Sequence, residues 1–410
     1  MRSFKIFNDP VHGFVEVPRG LMLEIIDHPI VQRLRRIKQM GLSDLVYPGA
    51  VHTRFNHALG AMHLMQLALR SLQEKGVDIS AEESEAARIA ILLHDIGHGP
   101  FSHALEGVLI PGLHHEQMTL MLMERLNQEF DGRLSLAIKI FLGQHDKPFL
   151  HQLVSSQLDM DRMDYLQRDS FFSGVQEGVI GVDRIIKTLT VINGKLVVEE
   201  KGMYSVERFL IARRLMYWQV YLHKTALSAE LLLEIILQQA RRVFLAGTNL
   251  PCSPSLRYFL SQGTPEKADP EEIIDHFILL GDDDITVAAK QWSRLLTEPA
   301  TRSLALLSRA MTQRRLPKLR FRDDTIAQDE IAELRAHWTE QLDIPAEEAP
   351  LFVFKGEVSN LAYLGDKQRP IEILMKRTGQ LVDIQDASDL SNIAALSRKV
   401  TKQFICAPGF

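Results

Sequence analysis

Residues Ile89–His103 read IAILLHDIGHGPFSH, and both the fold and the chemistry turn on them. Ala86, Ala87, Ile89, Ala90, Leu92 and Leu93 make the apolar face of a helix. Where a buried helix would simply stop, the chain delivers His94, Asp95, His98 and His103 among Gly97, Gly99 and Pro100. Imidazole nitrogen combined with carboxylate oxygen suits a borderline divalent ion such as Mn, Fe, Ni or Zn, whereas an all-oxygen set would suit Mg or Ca. The glycines and the proline break the helix just past these groups and let a phosphate or a water approach the backbone.

Working outward, the histidines concentrate upstream. Of the 15, all but His276 and His337 precede residue 225, which places the chemistry in the first half of the chain. VHTRFNHALG sets His52, Arg54 and His57 at a loop-to-helix junction, with His57 in the first helical turn. LHHEQMTLMLMERL opens a further helix with His114, His115 and Glu116, and its Met118, Leu122 and Met123 read as core. In SSQLDMDRMDYLQRDS, Asp161, Tyr165 and Asp169 are spaced i, i+4, i+8 and share one helix face. Asp159, Asp161, Asp164 and Asp169 cannot all be buried unpaired, because crowded carboxylates repel and take up protons. A cation among them, or Arg162 and Arg168 nearby, removes the problem.

Together His57, His94, Asp95 and Asp161 come from three helices and are expected to hold one divalent ion with coordination positions left open, as a catalytic site requires. Such an ion lowers the pKa of a bound water to about 7 and polarises a phosphoryl oxygen. Arg54 and Arg213 can offer paired donors to phosphate, and Lys224 a point charge. His98, His103 or His115 can supply a proton to a departing oxygen, with Glu116 orienting such a histidine. The residues point to a hydrolase of phosphate esters or anhydrides and leave the leaving group open.

The flanking sequence supplies the scaffold. FKIFNDPVHGFVEVP reads as a hairpin around Asn8, Asp9 and Pro10. Asp27 and Pro29 open IVQRLRRIKQM, a helix with Ile30, Leu34 and Ile37 inward and Gln32, Arg33, Arg35 and Arg36 on the other side, ended by Gly41. VINGKLVVEEKG is a hairpin on an Asn193-Gly194 turn. Ser205 to about Phe244 is helical and carries Arg213, Tyr217, Tyr221 and His223. TNLPCSPS reads as a linker, and from Pro350 onward short strands precede a final short helix. The expected fold is mainly α, a helical core with small β-hairpins and a C-terminal mixed α/β unit, divided as 1–245, 246–349 and 350–410.

Composition narrows the class. With 410 residues, 46% hydrophobic, 24% charged and a net charge of -5, the chain is an ordinary globular protein without a basic field for nucleic acid or an anionic membrane. Cys252 and Cys406 are the only cysteines, which excludes a disulfide scaffold and a cysteine zinc site and fits a reducing cytoplasm. No apolar run approaches the roughly 20 residues of a membrane span, and the N-terminus lacks a signal-peptide core, so a cytoplasmic location is expected.

The set His57, His94-Asp95 and Asp161 resembles the H...HD...D signature of the HD-domain metal-dependent phosphohydrolases. NDPVHG, RLRRIKQMG, YPGAVHTRFNHALG, LLHDIGHGPFSH, HHEQ, LDMDRMDYLQRD and YLHK are similar, in order and spacing, to the branch that hydrolyses deoxynucleoside triphosphates (dNTPs). The similarity covers roughly residues 5 to 225. It implies a mostly helical fold and one divalent metal per site (Mn, Fe, Ni, Zn or Mg) on His57, His94, Asp95 and Asp161. It implies His98, His103, His115 and Glu116 at the reacting phosphate, and Arg54, Arg162 and Arg213 as phosphate contacts. Gln39, Tyr165 and Asp169 match positions holding the deoxyribose, and Tyr221 one crowding the 2'-position. Two positions depart: Arg162 stands where the branch often has lysine, and Tyr217 where it has a histidine on the sugar-phosphate side. Asp27, Gln32 and Arg35 match residues that bind an activating nucleotide between subunits, with Asn8 and His12 in the segment packed there. A homo-oligomer, dimer or tetramer, would follow. Two other readings stand beside the dNTP hydrolase: a phosphatase of nucleoside mono- or diphosphates or another phosphoester, and a nucleotide-responsive regulatory protein with little turnover. The acidic balance argues against a nucleic-acid binder.

Overall fold

The computed structural model describes residues 4–261, 269–360, 370–389 and 399–409, without the side chains of Ser102, His103 and Asn360. The fold is mainly α, with small sheets and a mixed α/β C-terminal region. Strands β1 (Phe4–Asp9) and β2 (Gly13–Pro18) pair antiparallel as the expected N-terminal hairpin. The next segment differs from expectation. Helix α1 (Leu21–Asp27) comes first, so Asp27 closes a helix instead of opening one. Helix α2 (Pro29–Gln32) then runs only four residues, capped by His28, before a 3-10 turn over Arg33–Arg36. Ile37 turns extended, and Lys38 bridges to Thr53. The single helix expected to Gly41 is broken because Arg33 is drawn inward and buried, where an unbroken amphipathic helix would have left it in solvent.

Helices α3 (Arg54–Glu74), α4 (Ala81–Leu93) and α9 (Met160–Ser173) form the centre. Helix α4 begins with a Ser80/Glu83 capping box, which satisfies two backbone donors at its N-terminus. Its apolar residues from Ala86 to Leu93 are buried, as their periodicity requires. Helix α3 passes so close to α9 that a Cβ on Gly60 would fall 2.0 Å from an Asp164 carboxylate oxygen. Helix α6 (His115–Glu129) starts against the end of the histidine loop, and a Cβ at Gly97 would fall 2.2 Å from His115 O. Gly97 is therefore required by packing against α6, which is a different reason from phosphate approach.

Strands β3 (Leu189–Ile192) and β4 (Lys195–Glu199) turn on Asn193 and Gly194, both at positive φ. Helix α11 (Met203–Met216) continues into a π-helical turn at Tyr217–Tyr221 before α12 (Lys224–Leu245). In the downstream half, α14 (Pro270–Phe277) and α15 (Asp282–Trp292) precede β5 (Lys318–Arg322). The C-terminal strands do not stand apart. Strand β7 (Glu372–Leu374) pairs parallel with β4, and β9 (Val400–Ala407) pairs with both β5 and β6 (Phe354–Asn360). The final short helix expected after these strands falls mostly on residues 390–398, outside the described residues, and β9 follows it with Phe404 and Cys406 packed on one face and Ile405 on the other. No described helix is long and apolar enough to cross a membrane.

Candidate active site

His57 lies in the first turn of α3 with its ring fully buried, and its Nδ1 sits 2.7 Å from Asp164 Oδ2. His94 follows the last residue of α4, and its Nδ1 donates to Ile91 O at 2.6 Å. Both rings therefore turn Nε2 toward the same point, and both Nε2 atoms are buried without a hydrogen-bond partner. Asp161 Oδ1 lies 3.1 Å from His57 Nε2 and 3.4 Å from His94 Nε2. Ligands placed at right angles about 2.1 Å from one ion would be about 3 Å apart, so these separations suit ligation. One atom from each of His57, His94 and Asp161 falls within 4.8 Å of the others.

The electrostatics agree. Burial opposes a charge on His57, but the neighbouring carboxylates of Asp161 and Asp164 outweigh it and raise the pKa to about 10. Burial likewise opposes a charge on His94, and Asp95 and Asp161 override it. Burial favours neutral Asp161, yet His57 and His94 hold it well below the ordinary carboxylate range. The carboxylates demand positive charge at this point, which protons on the imidazoles or a divalent ion can supply. The donor set fits such an ion, with Asp164 and Ile91 O as the outer partners that orient its ligands. Asp95 stands beside the three, Oδ1 at 3.3 Å from His94 Nε2, with Oδ2 held by Arg54 Nη1 at 2.5 Å.

The crowded acids of α9 are each accounted for. Asp159 caps the helix through Arg162 N and Ser156 N. Asp164 is bound by Arg168, His57 and His12, and Arg168 also reaches Asp9 at 2.7 Å. His12 thus points inward to Asp164, the partner of His57. Asp169 is shared between His52 and Tyr221.

Beside Asp95 lies a second group. His98 Nε2 is 3.4 Å from Asp95 Oδ1, and its ring stacks on His115 at 4.2 Å and 14°. The expected orienting acid, Glu116, is exposed at the start of α6. Glu106 takes that place, accepting from the His115 ring Nδ1 at 2.7 Å and from its amide at 3.2 Å. Burial opposes ionisation of Glu106, but the His115 contacts hold its pKa down at about 2. The sequence carried no periodic signal for Glu106, which follows the four-residue helix α5 (Ser102–Leu105). The side chain of His103 lies outside the described residues.

Of the remaining expected contacts, buried Arg213 spends Nη1 on Gln157 and leaves Nε without a hydrogen-bond partner. Arg162 donates from Nε to Ser156 O at 2.8 Å and lies beside Asp159. Tyr165, Tyr221 and Tyr217 form an edge-to-face series, with centroids 6.2 and 5.3 Å apart. Gln39 Oε1 is buried without a hydrogen-bond partner.

The HD domain family model matches residues 54–169, and the HD associated region matches 180–247. The crystal structure of a phosphohydrolase from Bacteroides thetaiotaomicron is 48% identical, with a TM-score of 0.94 over 99% of this chain and 100% of that one. This chain belongs to the HD-domain phosphohydrolases. The HD-domain chain is also 35% identical over 282 residues to the uncharacterized protein YwfO of Bacillus subtilis, matching 67% of this chain and 65% of that protein. It is 32% identical over 251 residues to the deoxynucleoside triphosphate triphosphohydrolase SAMHD1 homolog of Dictyostelium discoideum, matching 57% of this chain and 48% of that protein. The chain thus spans less than two thirds of these curated relatives.

Outside both matched regions, the turn between α14 and α15 braces the HD domain. Asp282 accepts from Lys38 N and from Phe101 N, each at 2.9 Å. Arg33 donates to Leu280 O in that turn and to Ile96 O and His98 O in the histidine loop. Burial lowers the Arg33 pKa to about 9, and its guanidinium packs 4.2 Å over Phe277. Asp282→Ala is expected to lower kcat by about 10²-fold, because small displacements of positioned groups cost that much. Steady-state kinetics well below the melting transition check this, with Mn affinity unchanged. An unaltered kcat would show the brace to be dispensable.

Proposed function

We propose that this HD-domain phosphohydrolase cleaves dNTPs to deoxynucleoside and inorganic triphosphate. The observation that carries the reading is the placement of Asp161, Tyr165 and Asp169 on one face of α9, joining the His57/His94/Asp161 cluster to Gln39, Asp169 and Tyr221. Eight residues of helix span about 12 Å. That is the scale of a sugar held at one end with its directly attached phosphate at the other. The spacing supports attack at the phosphate next to the sugar, which releases triphosphate intact.

His57, His94 and Asp161, with Asp95 alongside, would hold one divalent ion. When bound, the ion polarises a phosphoryl oxygen and activates water. Arg54 and Arg213 would neutralise phosphate oxygens. With His115 Nδ1 given to Glu106, Nε2 is the ring atom left to deliver a proton to the departing sugar oxygen. Tyr221, kept a donor by burial and by Asp169, would crowd the 2'-position. The SAMHD1 homologues at about 32% identity support the substrate class. Tyr217, packed against Tyr221 where the branch has histidine, favours the second reading, a phosphatase acting on fewer phosphates.

Product analysis tests the reading. With Mn and each dNTP, alone and in mixtures, deoxynucleoside and triphosphate are expected in equal amounts, and EDTA is expected to stop the reaction. Orthophosphate as the sole inorganic product would replace it with the phosphatase, and absence of turnover with the regulatory binder.

A nucleotide-activated homo-oligomer belongs to the same proposal. Arg35 is exposed, lies 3.7 Å over Phe55 and donates to Gln32, so its guanidinium is held at the surface beside Gln32. Arg35→Ala is expected to remove the dependence of rate on added dGTP while leaving Mn affinity intact. Activation curves that superimpose on those of the wild type would sink the regulatory site.

A further inference from the structure

The HD signature leaves out His52, whose ring is wholly buried. His52 Nε2 sits 2.7 Å from Asp169 Oδ1, and the ring stacks on Phe172 at 4.4 Å and 18°. Its Nδ1 is buried without a hydrogen-bond partner. A proton on Nδ1 would be an orphaned buried donor, so the arrangement that satisfies the ring places the hydrogen on Nε2, donating to Asp169. The other Asp169 oxygen accepts from Tyr221 OH at 2.7 Å. Each carboxylate oxygen thus receives one donor and keeps a lone pair for another.

The same residue also holds the neighbouring segment. His52 O accepts from Gln39 N at 3.0 Å, and the side chain of Gln39 carries the unpartnered Oε1. The loop before His52 is clamped onto the end of α9, since a Cβ on Gly49 would fall 2.5 Å from Phe172 O. One residue therefore links Gln39, through its backbone carbonyl, and Asp169, through its ring.

We propose that His52 is the positioning residue for hydroxyl recognition: it holds Asp169 as the acceptor that takes the hydrogen of a sugar hydroxyl on the substrate, with Gln39 kept beside it. This rests on the dNTP reading above. A substrate lacking the hydroxyl would leave a buried carboxylate lone pair unanswered, and a site built to bond a hydroxyl rejects the analogue without one.

The test compares dNTPs with their 2',3'-dideoxy counterparts, as turnover with Mn and as binding in EDTA. His52→Phe keeps the ring stacked on Phe172 and removes the donor, whereas His52→Gln retains an amide donor at similar reach. Wild type is expected to prefer the dNTP, and His52→Phe to lose roughly 10- to 100-fold of that preference. His52→Gln should keep most of it, and His52→Phe should add nothing in an Asp169→Ala background. If both His52 variants lower the melting temperature and the overall rate while the preference persists, His52 is structural and the proposal is overturned. Wild type that binds dNTPs without cutting them would refute the hydrolase alone and leave the preference to be read from binding. Wild type that neither binds nor cuts them refutes both.

Discussion

Asp161→Ala is expected to reduce hydrolysis by at least about 10³-fold while the chain stays folded. Asp161 is the carboxylate on which the Nε2 atoms of His57 and His94 converge, at 3.1 and 3.4 Å. Without it two neutral donors remain beside Asp95, whose Oδ2 is committed to Arg54. The side chain is a quarter exposed and packs no core, so truncation opens no apolar cavity. Mn binding by calorimetry should be lost or strongly weakened, and the melting temperature in EDTA should move by only a few degrees, about what a small stability change produces at this size. Full activity in the variant would remove the metal mechanism, and an unfolded variant would assign Asp161 a structural role instead.

Glu106→Gln is expected to lower kcat by ~10²-fold or more, the usual contribution of a positioned acid or base. Glutamine can still accept from His115 Nδ1, so the ring should keep its place on His98. What disappears is the charge, which the His115 contacts hold on Glu106 down to a pKa of about 2 and which is therefore present throughout the neutral range. The metal cluster does not include Glu106, so Mn affinity should match the wild type. Comparison with Glu116→Gln separates the two acids: Glu116 is exposed, and its variant should retain wild-type kcat. The opposite ranking would return the orienting role to Glu116.

The residues of the candidate His57/His94/Asp161 site were legible because they announce themselves in local patterns. An apolar helix ending in His94-Asp95, a histidine in the first turn of another helix, and a polar stripe at i, i+4, i+8 each follow from helical periodicity. The hairpin on Asn193-Gly194 was legible for the same reason, since turn chemistry spans only a few residues. Where expectation failed, a long-range contact had outweighed local preference. Arg33 reads as one charge among several on a solvated face, yet three carbonyl oxygens from two distant segments draw it inside and break the helix around it. The contact of His12 with Asp164, 152 positions away, likewise has no local signal.

By itself, the sequence determined which residues can ligate and that they fall at the start of α3, the end of α4 and along α9, because those properties depend on residue type and short spacing. Tertiary structure alone decided which acid serves His115, which residues orient the ligands, and that a turn between α14 and α15 braces the histidine loop. The physical reason is that a buried polar group must find a partner, and which partner lies within about 3 Å is set by how the helices pack.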